Sequence, residues 1–256
     1  MRLATWNVNS IRARQVRALA WVAAKQPDVL CLQEIKVETE GFPSDAFRAL
    51  GYHSVVYGQK TYNGVAILSR AEPSDVVMGF GEGGGEPQAR LLAATFDGIR
   101  VINAYAPNGQ SVGSDKFSYK LDWLNRLRVH LDLRFDKAAP LLLCGDLNVA
   151  PEARDVYDPE GMVHEVLFHP EARAALARVV DFGLVDAFRA QRQESGLYTW
   201  WDYRQLAFPK NRGARIDHLL ATPALVSRVR GASIDRDERK GKQPSDHAPV
   251  ILEVEA

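Results

Sequence analysis

Six polar residues lie at the edges of apolar, strand-like segments of the sequence. They are Asn7, Glu34, Asp146, Asn148, Asp246 and His247. The first four follow such a segment, and the last two directly precede the final one. Side chains at strand ends are held by a rigid sheet, while the adjoining loops leave them open to solvent. The pattern predicts an active site at one edge of a sheet.

The chemistry of these residue types is that of phosphodiester hydrolysis. Carboxylate and amide oxygens suit Mg²⁺, which binds one or two carboxylates together with water and substrate phosphate. A histidine can stabilise charge on a phosphate when a carboxylate such as Asp217 holds its ring. An aspartate can orient or deprotonate the attacking water. Each residue alone is commonly a turn residue, but their conjunction indicates a hydrolase.

The composition of the 256-residue chain is that of an ordinary globular protein. Lys and Arg total 32, as do Asp and Glu, so the zero net charge argues against coating of nucleic acid by bulk charge. Cys31 and Cys144 lie in apolar runs and are expected to be buried thiols. No apolar stretch approaches the ~20 residues that span a bilayer. The N-terminus does not resemble a signal peptide, so we expect a cytoplasmic protein without membrane contact.

Apolar runs rich in β-branched residues alternate with helical patterns along the chain. Strands are predicted at 3–8, 28–33, 52–57, 64–69, 91–96, 99–105, 141–145, 216–221, 226–234 and 250–254, and helices at 14–24, 42–50, 116–135 and 170–182. Asp97-Gly98 between two of these strands is a strong hairpin signal. A hairpin within such a series favours α+β layers and a mixed sheet. We expect one domain over residues 1–256, with long surface loops at Gly79–Pro87 and Pro151–Pro170.

Eight short blocks of sequence resemble, in order, the signature blocks of a known family. They lie at 6–12 (WNVNSIR), 32–36 (LQEIK), 64–67 (GVAI), 103–109 (NAYAPNG), 145–151 (GDLNVAP), 198–204 (YTWWDYR), 215–218 (RIDH) and 245–249 (SDHAP). They are similar to those of the exonuclease III family of AP endonucleases, within the endonuclease/exonuclease/phosphatase superfamily. The resemblance extends from Arg2 to about Val254. The blocks at 103–109, 198–204 and 215–218 are the narrower ones and point to the DNA-repair branch.

The resemblance implies a fold and a metal site. The fold is α/β (α+β): a four-layer α/β-sandwich in which two packed mixed β-sheets are flanked by helices. Glu34 is expected to be the main ligand of Mg²⁺, for which Mn²⁺ can substitute, with Asn7 and Asp246 beside it. Asp146 and Asn148 are candidate ligands of a second ion.

The same resemblance assigns the catalytic roles to Tyr105, Asp146, Asn148, Asp217 and His247. Asp146 is expected to position or activate water with help from Asn148. His247, whose ring Asp217 holds, is expected to contact the scissile phosphate. Tyr105 is expected to contact that phosphate too.

Substrate contacts are implied for a further set of residues, namely Asn108, Trp200, Ile216, Arg12, Lys60, Tyr62 and Arg215. Asn108 is expected at the scissile phosphate, and Trp200 with Ile216 at the wall of a pocket for a flipped abasic sugar. The basic residues and Tyr62 are expected along the DNA backbone. Ala214 is smaller than the apolar residue that family members often have there, which implies a looser pocket.

The function implied by the resemblance is Mg²⁺-dependent DNA repair. The enzyme would incise double-stranded DNA at abasic sites, leaving a 3′-hydroxyl and a 5′-phosphate, and act as a 3′-phosphatase or phosphodiesterase and a 3′→5′ exonuclease. A monomer is the default expectation. One alternative is a phosphatase of the same superfamily that acts on a small molecule or a lipid headgroup. A second is a DNA-binding protein without catalytic activity.

Overall fold

Two mixed sheets form the centre of the molecule, as the computed structural model describes it for residues 1–81 and 88–255. The strands are β1 (Arg2–Asn7), β2 (Val29–Gln33), β3 (His53–Tyr57), β4 (Val65–Ser69), β5 (Ser74–Met78), β6 (Leu91–Phe96), β7 (Ile99–Tyr105), β8 (Leu141–Asp146), β9 (Val185–Asp186), β10 (Asp217–Ala221), β11 (Val229–Ile234) and β12 (Val250–Val254). The first sheet has the order β11-β12-β1-β2-β4-β3, and the second has the order β5-β6-β7-β8-β10-β9. The pairs β1/β2 and β7/β8 are parallel, and the other pairs are antiparallel.

Seven helices pack against the two sheets. They are α1 (Ile11–Lys25), α2 (Ser44–Arg48), α3 (Asp115–Arg134), α4 (Pro159–Met162), α5 (Pro170–Val180), α6 (Ala187–Gln191) and α7 (Pro223–Val226). The first five cover the outer faces, whereas Phe188 of α6 and Leu225 of α7 belong to the core between the sheets. The longest, α3, begins where the side chain of Ser114 accepts a hydrogen bond from the backbone N–H of Phe117, which satisfies one of the free donors of its first turn. No helix within the described residues is long and apolar enough to cross a membrane.

Both faces of the central strands are buried, which explains why these strands read as continuous apolar runs. In β1, Leu3 packs between the two sheets, whereas Ala4 and Trp6 pack against the helix side. In β8, Leu142 packs between the sheets and Leu143 packs under the helices. Side chains alternate across a strand, so each central strand serves two core layers. The molecule is therefore the predicted four-layer sandwich of helix, sheet, sheet and helix.

The ends of the central strands meet at one edge of the sandwich. Asn7 pairs with Gln33 at the end of the parallel pair β1/β2, and Tyr105 pairs with Asp146 at the end of β7/β8. Asp217 begins β10 directly opposite Asp146. The strand registers therefore bring together polar residues that are far apart in the sequence.

Most predicted elements are present, with ends that differ by a few residues. The hairpin is confirmed: Asp97 and Gly98 both have positive φ angles, 48° and 77°, as a tight two-residue turn between twisted strands requires. Cys31 and Cys144 are both buried free thiols, as expected. The strand predicted at 226–234 begins only at Val229, because residues 223–226 form α7 after a proline that suits a helix start.

Five short strands and helices were not predicted, namely β5, β9, α4, α6 and α7. They are too short, or too exposed, to show an apolar period. The predicted loop 151–170 contains a 3₁₀ turn at Ala153–Asp155 and the one-turn helix α4. Of the other predicted loop, Gly79–Pro87, residues 82–87 lie outside the described part of the chain.

Candidate active site

A buried histidine lies at the centre of the polar edge. The Nδ1 atom of His247 is 2.9 Å from Oδ2 of Asp217, and its Nε2 atom is 3.7 Å from Oδ2 of Asp146. The backbone carbonyl of His247 accepts a hydrogen bond of 3.2 Å from the indole of Trp6, which fixes the loop before β12. The ring is thus held at one nitrogen and faces a second carboxylate with the other.

The charges around His247 decide its protonation state. Burial alone would lower the pKa of the imidazole, but the carboxylates of Asp217 and Asp146 outweigh burial and raise the pKa. Burial raises the pKa of Asp146, and the charge of His247 acts against that rise. We infer an imidazolium at His247 that can donate to an anion. Oδ1 of Asp217 has no hydrogen-bond partner among the described residues.

Asn7 holds two carboxylates side by side. Its Nδ2 donates to Oε1 of Glu34 at 2.8 Å and to Oδ2 of Asp146 at 2.9 Å. The other oxygen of Glu34, Oε2, lies 2.9 Å from the ammonium of Lys36. Glu34 and Lys36 both have positive φ angles, 50° and 52°, which are costly for residues with a Cβ and are typical of functional sites.

These side chains form a group that fits a divalent cation. One ligand atom each from Glu34, Asp146 and His247 lies within 4.8 Å of the others. Two of the three offer carboxylate oxygens, which are the donors that hard cations prefer. The group is therefore a candidate metal site, with Glu34 and Asp146 as its oxygen donors.

Two predicted metal ligands lie beside this group with their polar atoms already engaged. Asn7 turns its amide nitrogen to the carboxylates, and its Oδ1 accepts a hydrogen bond from the backbone of Asn9. Asp246 accepts from Asn9 Nδ2 at 2.9 Å and from the indole of Trp200 at 3.1 Å. Direct metal ligation by Asn7 and by Asp246 therefore stays a prediction.

The turn after β8 places Asn148 beside Asp146. Oδ1 of Asp146 accepts a hydrogen bond of 2.9 Å from the backbone N–H of Asn148, whose φ of 53° is one that asparagine tolerates. The Oδ1 of Asn148 accepts from Asn108 Nδ2 at 3.2 Å. Gly145 has a φ of 132°, and a Cβ there would lie 2.0 Å from the carbonyl oxygen of Ala104. Only glycine allows β8 to approach β7 closely enough to present this turn.

Tyr105 reaches the same site from the end of β7. The residue is only 8 % exposed, and burial, followed by the charges of Glu34 and Asp146, raises the pKa of its phenol. Tyr105 is therefore a protonated donor at neutral pH. The guanidinium carbon of Arg90 lies 4.7 Å from the centre of its ring, and Arg90 also donates to its backbone carbonyl at 3.2 Å. The sequence analysis did not identify Arg90 as a neighbour of the site. Its position just before β6, the strand that pairs with β7, could have indicated that it lies near Tyr105.

Trp200 forms part of a cavity next to these groups. Its backbone forms isolated β-bridges with Ala214 and with His247, which places it beside the histidine. The cavity has a volume of about 570 Å³. Its walls include Asn108, Met162, Val166, Leu167, Trp200 and Arg204. A neighbouring cavity with both polar and apolar walls suits part of a substrate whose phosphate lies at the polar group.

Two residues that were predicted to contact the substrate have buried side chains in this structure. Arg215 is 1 % exposed, and its guanidinium lies 2.7 Å from Asp155 and 2.8 Å from Asp186. It connects the loop after β8 to the core and cannot reach a DNA phosphate. Ile216 is 2 % exposed and packs in the core beneath the helices, so it does not line an open pocket. The local sequence could not reveal the burial of Arg215, because its partner Asp155 is 60 residues away.

The remaining predicted DNA contacts lie on the surface. Arg12 and Lys60 are exposed, and Tyr62 is 67 % exposed. Arg12 follows Ile11 at the start of α1, close in sequence to Asn7 and Asn9. Their contact with DNA stays a prediction.

Comparison with known proteins identifies relatives over nearly the whole chain. Residues 4–247 match the Endonuclease/Exonuclease/phosphatase family. The exodeoxyribonuclease III of Haemophilus influenzae is 37% identical over 265 residues, which cover 99% of this chain and 99% of that protein. An AP endonuclease from Archaeoglobus fulgidus is 40% identical with a TM-score of 0.97, and 100% of each chain is covered. The 3′ phosphatase NExo from Neisseria, bound to a product DNA hairpin, is 40% identical with a TM-score of 0.95 and the same coverage. This chain belongs to the endonuclease/exonuclease/phosphatase family.

Proposed function

We propose that this protein is a Mg²⁺-dependent DNA repair nuclease that incises duplex DNA at abasic sites and clears blocked 3′ ends. Incision would leave a 3′-hydroxyl and a 5′-phosphate. The names of its relatives support a nuclease that acts on DNA, since they include an exodeoxyribonuclease III, an AP endonuclease and a 3′ phosphatase bound to product DNA. We further propose that it acts as a monomer in the cytoplasm and that Mn²⁺ can replace Mg²⁺.

The single observation that carries this proposal is the convergence of His247, Asp217, Asp146 and Glu34 at one strand edge. An imidazolium, a water-orienting carboxylate and a metal-binding carboxylate are the groups that in-line attack on phosphorus requires. An inactive DNA-binding protein would have no need to keep all of them together. A phosphatase for small molecules would need the same groups, but not a cavity walled by Trp200 beside them.

We assign each residue of the site a step in the hydrolysis according to its charge. Asp146, which lies at the centre of the polar group, would orient or deprotonate the attacking water. His247 donates from Nε2 to a phosphoryl oxygen, while Asp217 holds the ring at Nδ1. The phenol of Tyr105 adds a donor at the same edge.

A bound Mg²⁺ would be held by oxygens of Glu34 and Asp146, where it would offset negative charge on the phosphoryl group. Asn7 keeps these two carboxylates side by side through its two hydrogen bonds. Asn148 and Asn108 would hold the phosphate and the attacking water through their linked amides. These side-chain positions are set before substrate arrives, which is what preorganised catalysis requires.

The test uses three labelled duplexes that differ in one feature: an internal abasic site, a 3′-phosphate or an intact 3′-hydroxyl end. Each is incubated with the protein in Mg²⁺, in Mn²⁺ and in EDTA, and the products are resolved by length and end chemistry. We expect incision of the abasic duplex in Mg²⁺ and none in EDTA. Release of phosphate from small phosphomonoesters with no attack on any duplex would overturn the proposal in favour of a small-molecule phosphatase.

A further inference from the structure

A buried lysine lies directly beneath the two asparagines of the site. Lys120, on α3, is 0 % exposed. Its ammonium donates to three backbone carbonyls: that of Asn108 at 3.0 Å, that of Asn148 at 2.6 Å and that of Val166 at 2.9 Å. In the described part of the chain, each of these partners is a carbonyl and none is a carboxylate. Burying a charge without a carboxylate partner lowers the stability of the folded protein. The presence of such a lysine next to the site therefore suggests a role in function.

The three carbonyls belong to three different segments of the site. Asn108 lies in the loop after β7, and Asn148 lies in the turn after β8. Their side chains contact each other at 3.2 Å. Val166 belongs to the segment between α4 and α5 and lines the cavity that Trp200 also lines. One ammonium therefore connects the polar group of the site to the opposite wall of the cavity.

The chain leaves space for the stem of this lysine. Gly109 has a φ of 95°, and a Cβ there would lie 3.0 Å from Cδ of Lys120 and 3.3 Å from the ring of Phe117. A larger residue would press on the stem and move the ammonium. Burial lowers the pKa of Lys120 to about 7, an effect that the charge of Asp146 opposes.

We propose that Lys120 is a positioning residue of the nuclease, which holds Asn108 and Asn148 at a set distance from the Val166 wall of the cavity. The proposal rests on the function proposed above. Without the ammonium, the three carbonyls lose their common donor and the loops separate. The amides of the two asparagines then no longer meet the substrate phosphate and the attacking water in the required geometry.

The main test compares Lys120→Met with the parent protein by melting temperature and by kcat and KM for abasic-site incision. Methionine fills a similar volume without charge but removes three hydrogen bonds to buried carbonyls, so we expect a folded variant with a lowered melting temperature. We expect kcat for abasic-site incision to fall on the order of 10²-fold, because small displacements of catalytic groups have effects of this size. KM should change by less than about threefold, since surface DNA contacts are intact. The matched control is Lys137→Met, a change of the same kind at an exposed lysine, which should leave kcat unchanged.

A second variant separates positioning from a merely structural role. Lys120→Ala leaves room for a small amine, so propylammonium should restore a measurable part of kcat. Propanol, which has the same length but no charge, should not. Parent protein assayed with each additive corrects for effects of ionic strength on DNA binding. Rescue by both additives, or by neither in a folded variant, would overturn the assignment.

Side-chain amide resonances of Asn108 and Asn148 give a readout that needs no activity. We expect both signals to shift in Lys120→Met and to stay in place in Lys137→Met. Parental kcat and unshifted amide signals in Lys120→Met would overturn the proposal. If the parent itself incised no duplex, the nuclease function would fail, while shifted amide signals would still support the positioning role.

Discussion

The two ends of the second sheet place charges of opposite sign next to a buried histidine, although the same strands connect them. β7 and β8 run in parallel from Arg100 and Leu141 at one end to Tyr105 and Asp146 at the other. At the catalytic end, carboxylates surround His247. At the opposite end, which we call the basic end, Arg100 and Arg134 lie near His130.

The comparison of the two histidines shows how neighbours decide the charge of one residue type. His247 is 3 % exposed and His130 is 7 % exposed, so burial differs little between them. The pKa of His247 is raised, because two carboxylates outweigh burial. The pKa of His130 is lowered to about 4 by burial, with the charges of Arg134 and Arg100 acting in the same direction. One ring is therefore an imidazolium and the other is neutral at the same pH.

Cavity size does not distinguish the catalytic end. The cavity at the basic end has a volume of about 870 Å³, compared with about 570 Å³ beside Trp200. The larger one is lined by Arg100, His130 and Arg134 together with Asp75, Asp136 and apolar residues, and it is the two arginines, not carboxylates, whose charges act on its histidine. Chemistry follows the arrangement of ionisable groups more closely than it follows volume.

The largest effect should come from the catalytic histidine. We expect His247→Asn to lower single-turnover incision on the order of 10³-fold, because a positioned donor to the phosphoryl group is lost. Adding Asp217→Ala should cost little more, since Asp217 acts through that ring. The same change at the basic end, His130→Asn, should leave incision of folded protein unchanged. Multiplicative losses from the two catalytic changes would show that they do not act as a unit.

A smaller loss is expected from the metal-binding carboxylate. Glu34→Gln removes one charge from the candidate metal site, so incision should fall about 10²-fold, and more Mg²⁺ should be needed for half-maximal rate. A titration of rate against Mg²⁺ concentration measures both effects. Glu40→Gln, at an exposed position nearby in sequence, is the control. A parental Mg²⁺ dependence in Glu34→Gln would contradict the metal assignment.

The next effect concerns substrate choice at the smaller cavity. Trp200→Ala should lower abasic-site incision on the order of 10- to 100-fold, as loss of a pocket wall does, with a smaller change in 3′-phosphate release. Trp200→Phe retains an aromatic wall but loses the hydrogen bond to Asp246, so it separates shape from that contact. At the basic end, Phe135→Leu should leave both activities of the folded protein unchanged. Equal losses on both substrates with a large fall in melting temperature would instead assign Trp200 to the core.

The smallest effect is a pH dependence of stability at the basic end. His130 is neutral in the folded protein, with a pKa lowered from 6.5 to about 4, whereas the unfolded chain takes up a proton below 6.5. Its contribution to stability is therefore present above pH 6.5 and is lost as the pH falls towards 4. The variant His130→Phe retains the edge contacts with Phe80 and Phe135 but has no titrating group there. It should therefore not lose stability for this reason as the pH falls.

Thermal unfolding of the parent and of His130→Phe at neutral and acidic pH tests this dependence. The melting temperature of the parent should fall by about 2–4 °C more than that of the variant, if roughly 1 kcal/mol is involved. The same difference between the two proteins at both pH values would contradict the assignment.

The sequence by itself determined the strands of the core and predicted which polar residues meet at one edge of the sheets. Apolar runs mark strands that are buried on both faces, and Asp97-Gly98 marks its hairpin, because these signals depend on neighbouring residues only. The blocks around Glu34, Asp146 and His247 predicted one polar edge, and strand register does bring these three together.

Only the tertiary structure decided which charges face the substrate. Arg215 is a basic residue next to a predicted catalytic block, which made it a candidate DNA contact. Its side chain is instead buried and forms ion pairs with Asp155 and Asp186, which are distant in the sequence. Asn7 donates a hydrogen bond to Asp146, which is 139 residues away in the sequence. The three carbonyls that accept from Lys120 belong to loops that no local sequence pattern places together. The physical reason is that a charged side chain is exposed or buried according to its partners, and those partners come from remote segments that only the packed layers bring within reach.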